Sequence, residues 1–195
     1  ESGKYKVTIT DTNGCSNASN EITVTVNALP SANIMSSGSS TFCSGDSVIL
    51  TASIASQYSW SNGATGNQIV VKNSGQFIVT ITDQNGCKSS SQIINVVANP
   101  LPVLNIISSG DLNLCQGESE TLTSSTAGNL YKWSNGQSTP SITVTENGTY
   151  QLSVTDANGC QGVASPVTIT VHALPVVSIN SSGPVTFCQG NNVIL

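Results

Sequence analysis

The sequence predicts an all-β protein assembled from tandem β-sandwich modules, and three observations carry that prediction. Apolar and polar residues alternate with a period of two: Tyr5, Val7 and Ile9 face one way, Lys6, Thr8 and Thr10 the other. The pattern returns at Phe77/Val79/Ile81 and at Tyr150/Leu152/Val154, as half-buried strands require. Turn residues break the chain roughly every 8–12 residues, the spacing of a sandwich. Six cysteines recur with gaps of 28, 44, 28, 45 and 28, a period of 72 to 73 residues. A fixed period of this size marks an array of similar modules.

The elements follow in order within each repeat. A phrase ending in cysteine opens it: Thr41-Phe42-Cys43, Asn113-Leu114-Cys115, Phe187-Cys188. A strand follows at Val48-Ile49-Leu50-Thr51-Ala52, matched more weakly by Glu120-Thr121-Leu122-Thr123. Tyr58-Ser59-Trp60 and Tyr131-Lys132-Trp133 form the next strand and run into Ser-Asn-Gly turns. A tryptophan in a third strand points to an immunoglobulin-like sandwich. Ile69-Val70-Val71 and Ile142-Thr143-Val144 come next; then Gly148-Thr149-Tyr150 places an aromatic where a tyrosine corner would sit.

The sixth strand ends in Asp11-Thr12-Asn13-Gly14-Cys15, Asp83-Gln84-Asn85-Gly86-Cys87 or Asp156-Ala157-Asn158-Gly159-Cys160. Asn-Gly between two alternating runs predicts a hairpin, since both residues tolerate positive φ. The returning strand points Ile22/Val24/Val26, Ile94/Val96/Ala98 or Val167/Ile169/Val171 inward. The predicted core aromatics are Trp60, Trp133, Tyr5, Phe77 and Tyr150. No apolar set at helical spacing survives the glycine and β-branched content.

The repeat divides the chain into the C-terminal part of one module (1–27), two complete modules (28–99 and 100–172) and the N-terminal part of a fourth (173–195). The chain thus reads as a window on a longer array. The joints are Asn27-Ala28-Leu29-Pro30, Asn99-Pro100-Leu101-Pro102 and His172-Ala173-Leu174-Pro175. Proline fixes φ and extends its predecessor, so each joint predicts a semi-rigid spacer and the array a stiff rod.

Composition excludes several function classes. Charged residues make up 8% of the chain, all five basic residues are lysines, and the net charge is −5. Phosphate binding needs clustered basic residues, so nucleic acid is excluded as a partner. No apolar run approaches the roughly 18 residues of a membrane span. An even, periodic cysteine set without a CxxC pair favours disulfides in an oxidising, extracellular place over a metal site.

Several of these phrases together resemble a known repeat type: Tyr58-x-Trp60-Ser61-Asn62-Gly63, Gly148-Thr149-Tyr150, Thr155-Asp156-Ala157-Asn158-Gly159-Cys160, the Leu-Pro joints and Phe187-Cys188-Gln189-Gly190. They are similar to the Ig-like/PKD-like repeats of giant cell-surface proteins of the Bacteroidota, including the gliding adhesins. The resemblance covers the whole chain. It implies a secreted, surface-anchored stalk or adhesin exported by the type IX pathway, and it carries no catalytic residue, cofactor or metal. Asp46-Ser47-Val48 also resembles the O-glycosylation motif of that group.

Strand direction places the cysteines. Cys43 precedes the second strand and falls at the lower end of its module; Cys87 follows the sixth strand and falls at the upper end. A seven-residue strand spans about 23 Å at 3.3 Å per residue, whereas a disulfide needs Cα atoms within about 7 Å. The preferred pairing is therefore between modules: Cys43 with Cys160, and Cys15, Cys87, Cys115 and Cys188 with repeats outside the window. The alternative, Cys43–Cys87 with Cys115–Cys160, requires the opposite strand directions. A cross-link closing a loop of over a hundred residues contributes about 4–5 kcal/mol in the chain-entropy model.

Each sharper functional reading has a plainer rival. Asp11, Asp83 and Asp156 recur at one turn, but each turn offers one carboxylate where calcium takes six to eight oxygens; an Asx-type cap is the simpler role. Trp60 and Trp133 with Tyr58 and Tyr131 would make a sugar-stacking shelf if exposed, and core if inward. His172, the sole histidine, takes the joint position of Asn27 and Asn99, and no catalytic triad can be built around it. The chain is thus expected to be a non-enzymatic, cell-surface array whose partners are its own neighbouring repeats. Lateral or end-to-end self-association, and a polysaccharide or surface ligand held by other parts of the protein, complete the expected partners. The rival functions are a carbohydrate-binding module and a spacer for a secreted hydrolase.

Overall fold

The computed structural model describes all of Glu1–Leu195 and contains strands and turns without a helix. Contacts divide it into two units, Glu1–Pro100 and Leu101–Leu195. The first begins with β1 (Gly3–Tyr5), β2 (Thr8–Thr10), β3 (Ser16–Ala18) and β4 (Ile22–Val24). These form two antiparallel ladders, β1 with β4 and β2 with β3. It continues with β5 (Ile34–Ser36), β6 (Thr41–Cys43), β7 (Val48–Ala52), β8 (Gln57–Trp60) and β9 (Gln68–Val71). β10 (Gly75–Phe77), β11 (Val79–Thr82), β12 (Lys88–Ser90) and β13 (Ile94–Asn99) complete it.

In this unit β5, β7 and β9 make one antiparallel sheet. The opposing layer runs from β8 to β11 to β12, and, further along the same two chain segments, from β10 to β13 to β6. Most pairings are antiparallel; β6 alone lies parallel to β13, with Thr41, Phe42 and Cys43 opposite Val97, Ala98 and Asn99. Alternation decides which side chains enter the core. Val48, Leu50 and Ala52 of β7 and Ile69 and Val71 of β9 meet Trp60, Val79, Ile81 and Val96 of the other layer. This is an immunoglobulin-like β-sandwich.

The second unit repeats the plan. Its strands are β14 (Ile106–Ser108), β15 (Asn113–Cys115), β16 (Glu120–Ser124), β17 (Leu130–Trp133), β18 (Ser141–Val144), β19 (Gly148–Tyr150), β20 (Leu152–Thr155), β21 (Gln161–Val163) and β22 (Val167–His172). β14, β16 and β18 form one sheet; β17–β20–β21 and β15–β22–β19 form the other. The parallel pair returns with Cys115 opposite His172. Leu122, Ile142 and Val144 pack against Trp133, Leu152, Val154 and Ile169, with Leu104, Leu114 and Ala164 closing the cluster.

Residues 173–195 carry no strand but keep local bonds of the same repeat. Ser182 N–H donates to Ile194 O as Ser37 does to Ile49 and Ser109 to Thr121, and Asn191 N–H donates to Cys188 O as Asp46 does to Cys43.

One expectation needs correction. Tyr5, read as a core aromatic, is 52% exposed, and Val7 and Ile9, which follow it in the alternating run, are 64% and 68% exposed. The reason is that alternation fixes which side of a strand is apolar, but burial needs a second layer; β1–β4 pair only with one another. Tyr5 instead lies over Gly3 and donates its hydroxyl to Glu1 O. The Asn-Gly hairpins do form, but only glycine takes positive φ, at 83°, 83° and 80° for Gly14, Gly86 and Gly159. Gly86 N–H donates to Asp83 O and Asp83 N–H to Cys87 O. The loop is thus an ordinary turn followed by a left-handed glycine, one residue longer than a two-residue hairpin.

Candidate functional site

The chemistry-bearing residues of each unit gather at its two ends. At the trailing end the parallel ladder fixes the first cysteine of the repeat. Cys43 stands opposite Asn99, the last residue of β13, and Ser44 N–H donates to Asn99 O at 2.7 Å. In the second unit Cys115 stands opposite His172, and Gln116 N–H donates to His172 O at 2.8 Å. A cysteine placed there stands opposite the first residue of the joint that leaves the unit.

At the leading end the hairpin loop presents the other cysteine. Asp156 Oδ1 accepts the N–H groups of Asn158 and Cys160, each at 2.8 Å. Asp83 holds Asn85 and Cys87 in the same way, and Asp11 holds Asn13 and Cys15. All three aspartates therefore cap their turns. No group of three or more His, Cys, Asp and Glu side chains is gathered to hold a metal ion.

Just past this loop β21 runs against the start of the second unit. A Cβ at Gly162 would fall 2.1 Å from Pro102 O and 2.7 Å from Leu104 Cδ2, so only glycine lets the two segments touch. Cys160 is fully buried, whereas Cys115 is exposed. Cys43 and Cys160 are disulfide-bonded; Cys15, Cys87, Cys115 and Cys188 are free thiols.

The predicted aromatic residues divide by burial. Trp60 and Trp133 are 3% and 1% exposed and donate their indole N–H groups to Gly66 O and Thr139 O at 2.8 and 2.9 Å. A shelf for stacking sugars is therefore not presented by either ring. Tyr58 and Tyr131 pack beside them, their hydroxyls accepting Ala55 N–H and Gly128 N–H. Phe77 and Tyr150 are half-buried against the two cores. Tyr150 donates to Glu146 O four residues upstream, the bond of a tyrosine corner.

Two features escape reading from the strand pattern alone. Glu120 is a carboxylate only 4% exposed, seated where the first unit has Val48. It accepts Ser109 N–H, Ser109 Oγ–H and Gly110 N–H. Burial pushes its pKa up, but the bonds from the Ser109 hydroxyl and the two backbone N–H groups outweigh this and hold it below the ordinary glutamate value. The signal was available: Glu120 shares the inward parity of Leu122.

The second feature is a shallow groove across β17 and β20, about 310 Å³, lined by Lys132, Ser134, Gln151, Ser153, Gln161 and Val163. It forms where the sixth strand breaks at Gln151, whose N–H is taken up by Ser134 Oγ. A smaller counterpart of about 220 Å³ lies between Ser59, Ser61, Ile78 and Thr80.

No protein-family model matches the chain, and no curated protein matches it. Among solved structures it is similar to murine CEACAM1b, with 11% identity over 73% of this chain and 100% of that one and a TM-score of 0.35. It is also similar to the human OSCAR ligand-binding domain, with 10% identity, the same coverage and a TM-score of 0.32. Neither likeness bears on what this chain does; the sandwich rests on the ladders and cores described above.

Proposed function

We propose that this chain is a non-catalytic, extracellular, load-bearing segment of a surface stalk, in which a disulfide from Cys43 to Cys160 staples one sandwich to the next. The supporting observation is the placement of the two disulfide-bonded cysteines. Cys43 sits at the trailing end of the first unit, beside Asn99, and Cys160 at the leading end of the second, a turn away from the segment packed on Pro102. Only the joint Asn99-Pro100-Leu101-Pro102 separates the two units along the chain. The competing pairing within modules needs Cys87 and Cys115, which are free thiols.

On this reading the other cysteines serve the same joints in neighbouring repeats, and the array is a stiff fibre. The hydroxyl- and amide-rich surface with 8% charged residues suits a stalk that stays solvated without attracting charged partners. A persistent structural disulfide belongs to an oxidising compartment, which together with the resemblance of the repeats favours a Bacteroidota cell-surface adhesin. Peptide mapping without reductant tests the staple: a fragment joining Cys43 to Cys160 is expected, and one joining Cys43 to Cys87 would overturn it.

A second reading, a polysaccharide-binding module, is favoured by one observation, the amide- and hydroxyl-lined groove at Gln151. Binding of the chain to a glycan array, abolished by Q151A, would select it over the stalk alone.

A further inference from the structure

We propose that the Cys43–Cys160 bond acts as a covalent strap that carries tension around the first hydrophobic core, leaving residues 44–159 unloaded when the chain is pulled from its ends. This rests on the pairing proposed above. A pulling force follows the shortest covalent path. With the bond in place that path runs through residues 1–43, crosses the sulfurs, and continues through residues 160–195.

The structure determines what lies on and off that path. On it are β1 to β6 of the first unit and β21 and β22 of the second. Off it is every buried residue of the first core, from Val48 to Val96. The second core loses only Ala164 and Ile169 to the loaded path; its remaining buried residues, Leu104 to Val154, lie inside the enclosed segment. Tension therefore strips β5 and β6 from the edges of the first unit and leaves its core packed, whereas in the second unit it also draws on β22, the central strand between β15 and β19, before it rests on a covalent bond.

The cysteine spacing fits this role. The stretch from Cys160 to the next cysteine of the Cys43 type, Cys188, is 28 residues, as are Cys15 to Cys43 and Cys87 to Cys115. The other gap varies between 44 and 45. Where the staple is present, that variation falls in chain that bears no load.

At roughly 3.3–3.6 Å per extended residue, the loaded path is about 270 Å long and the enclosed segment about 400 Å. The test is a force clamp on the chain held at residues 1 and 195, first without and then with a thiol reductant, beside a peptide map of the same sample. Without reductant, extension should stop near the loaded length. Adding the thiol should free the strap by thiolate attack on the disulfide, and a further resisted step of unit size should follow as the first core unfolds.

A wholly unresisted release on adding thiol, with the Cys43–Cys160 fragment present in the map, would mean that the first core had already given way, and the shielding would fall alone. Extension beyond the loaded length before thiol, with that fragment absent, would overturn the staple and the strap together. C43S should show that unit-sized step without reductant. If C43S does not fold, the reduced wild-type chain supplies the same comparison.

Discussion

The two units are built on one plan but solve two packing problems differently. Where the first unit closes its leading end with Ala32 and Ser89, the second uses Leu104 and Gly162. The large side chain at one position is admitted by the missing one at the other, since a Cβ at Gly162 would meet both Leu104 and Pro102 O. Where the first unit begins β7 with buried Val48, the second begins β16 with buried Glu120. The carboxylate is tolerated because the preceding turn aims three donors at it, and a buried charge needs such partners. The repeat thus preserves a shape, while the residues filling it change in concert.

Several substitutions bear on that comparison. The largest effect belongs to what the units share: W60A and W133A should each cost about 3–5 kcal/mol, measured as a lowered denaturation midpoint of the affected unit, with the remaining tryptophan reporting on the other. Similar costs would show that the two cores are equivalent despite their different ends.

G162S, which gives the second unit the side chain of the first, should cost about 1–3 kcal/mol by overpacking. The double variant G162S/L104A should cost less than the sum of its parts, because the two sites touch. Strict additivity in chemical denaturation would show that they do not compensate. S89G in the first unit should cost only about 0.5–1 kcal/mol.

Acid should separate the units. Glu120 has a folded pKa below its ordinary value of 4.5, so its bonds stabilise the second unit above that value, and the contribution is lost as pH falls through the lower folded value. Thermal melts from neutral pH to pH 3 should therefore show a fall in the second unit's midpoint that E120Q removes. An acid response unchanged in E120Q would refute this assignment. D156A, which strips the N–H groups of exposed Asn158 and buried Cys160 of their acceptor, should cost about 1–3 kcal/mol.

The comparison of 1–27 with 75–99 shows where strand patterns stop being informative. Gly3-Lys4-Tyr5 and Gly75-Gln76-Phe77 read alike and both form strands with the aromatic laid over glycine. Phe77 packs on a core, however, while Tyr5 is exposed. Alternation is a property of one strand; burial is a property of two layers.

The amino-acid order alone determined the period, the strands, the hairpin loops and the two ends at which cysteines stand, because these follow from side-chain alternation, turn chemistry and chain direction, all local or periodic. It also contained the inward parity of Glu120. Only the tertiary structure decided that this carboxylate has donors, that Cys43 lies beside Asn99 in a parallel ladder, and that Gly162 must be glycine. Each of those depends on atoms distant in the chain arriving within a few ångströms, and spacing along one strand carries no record of what faces it.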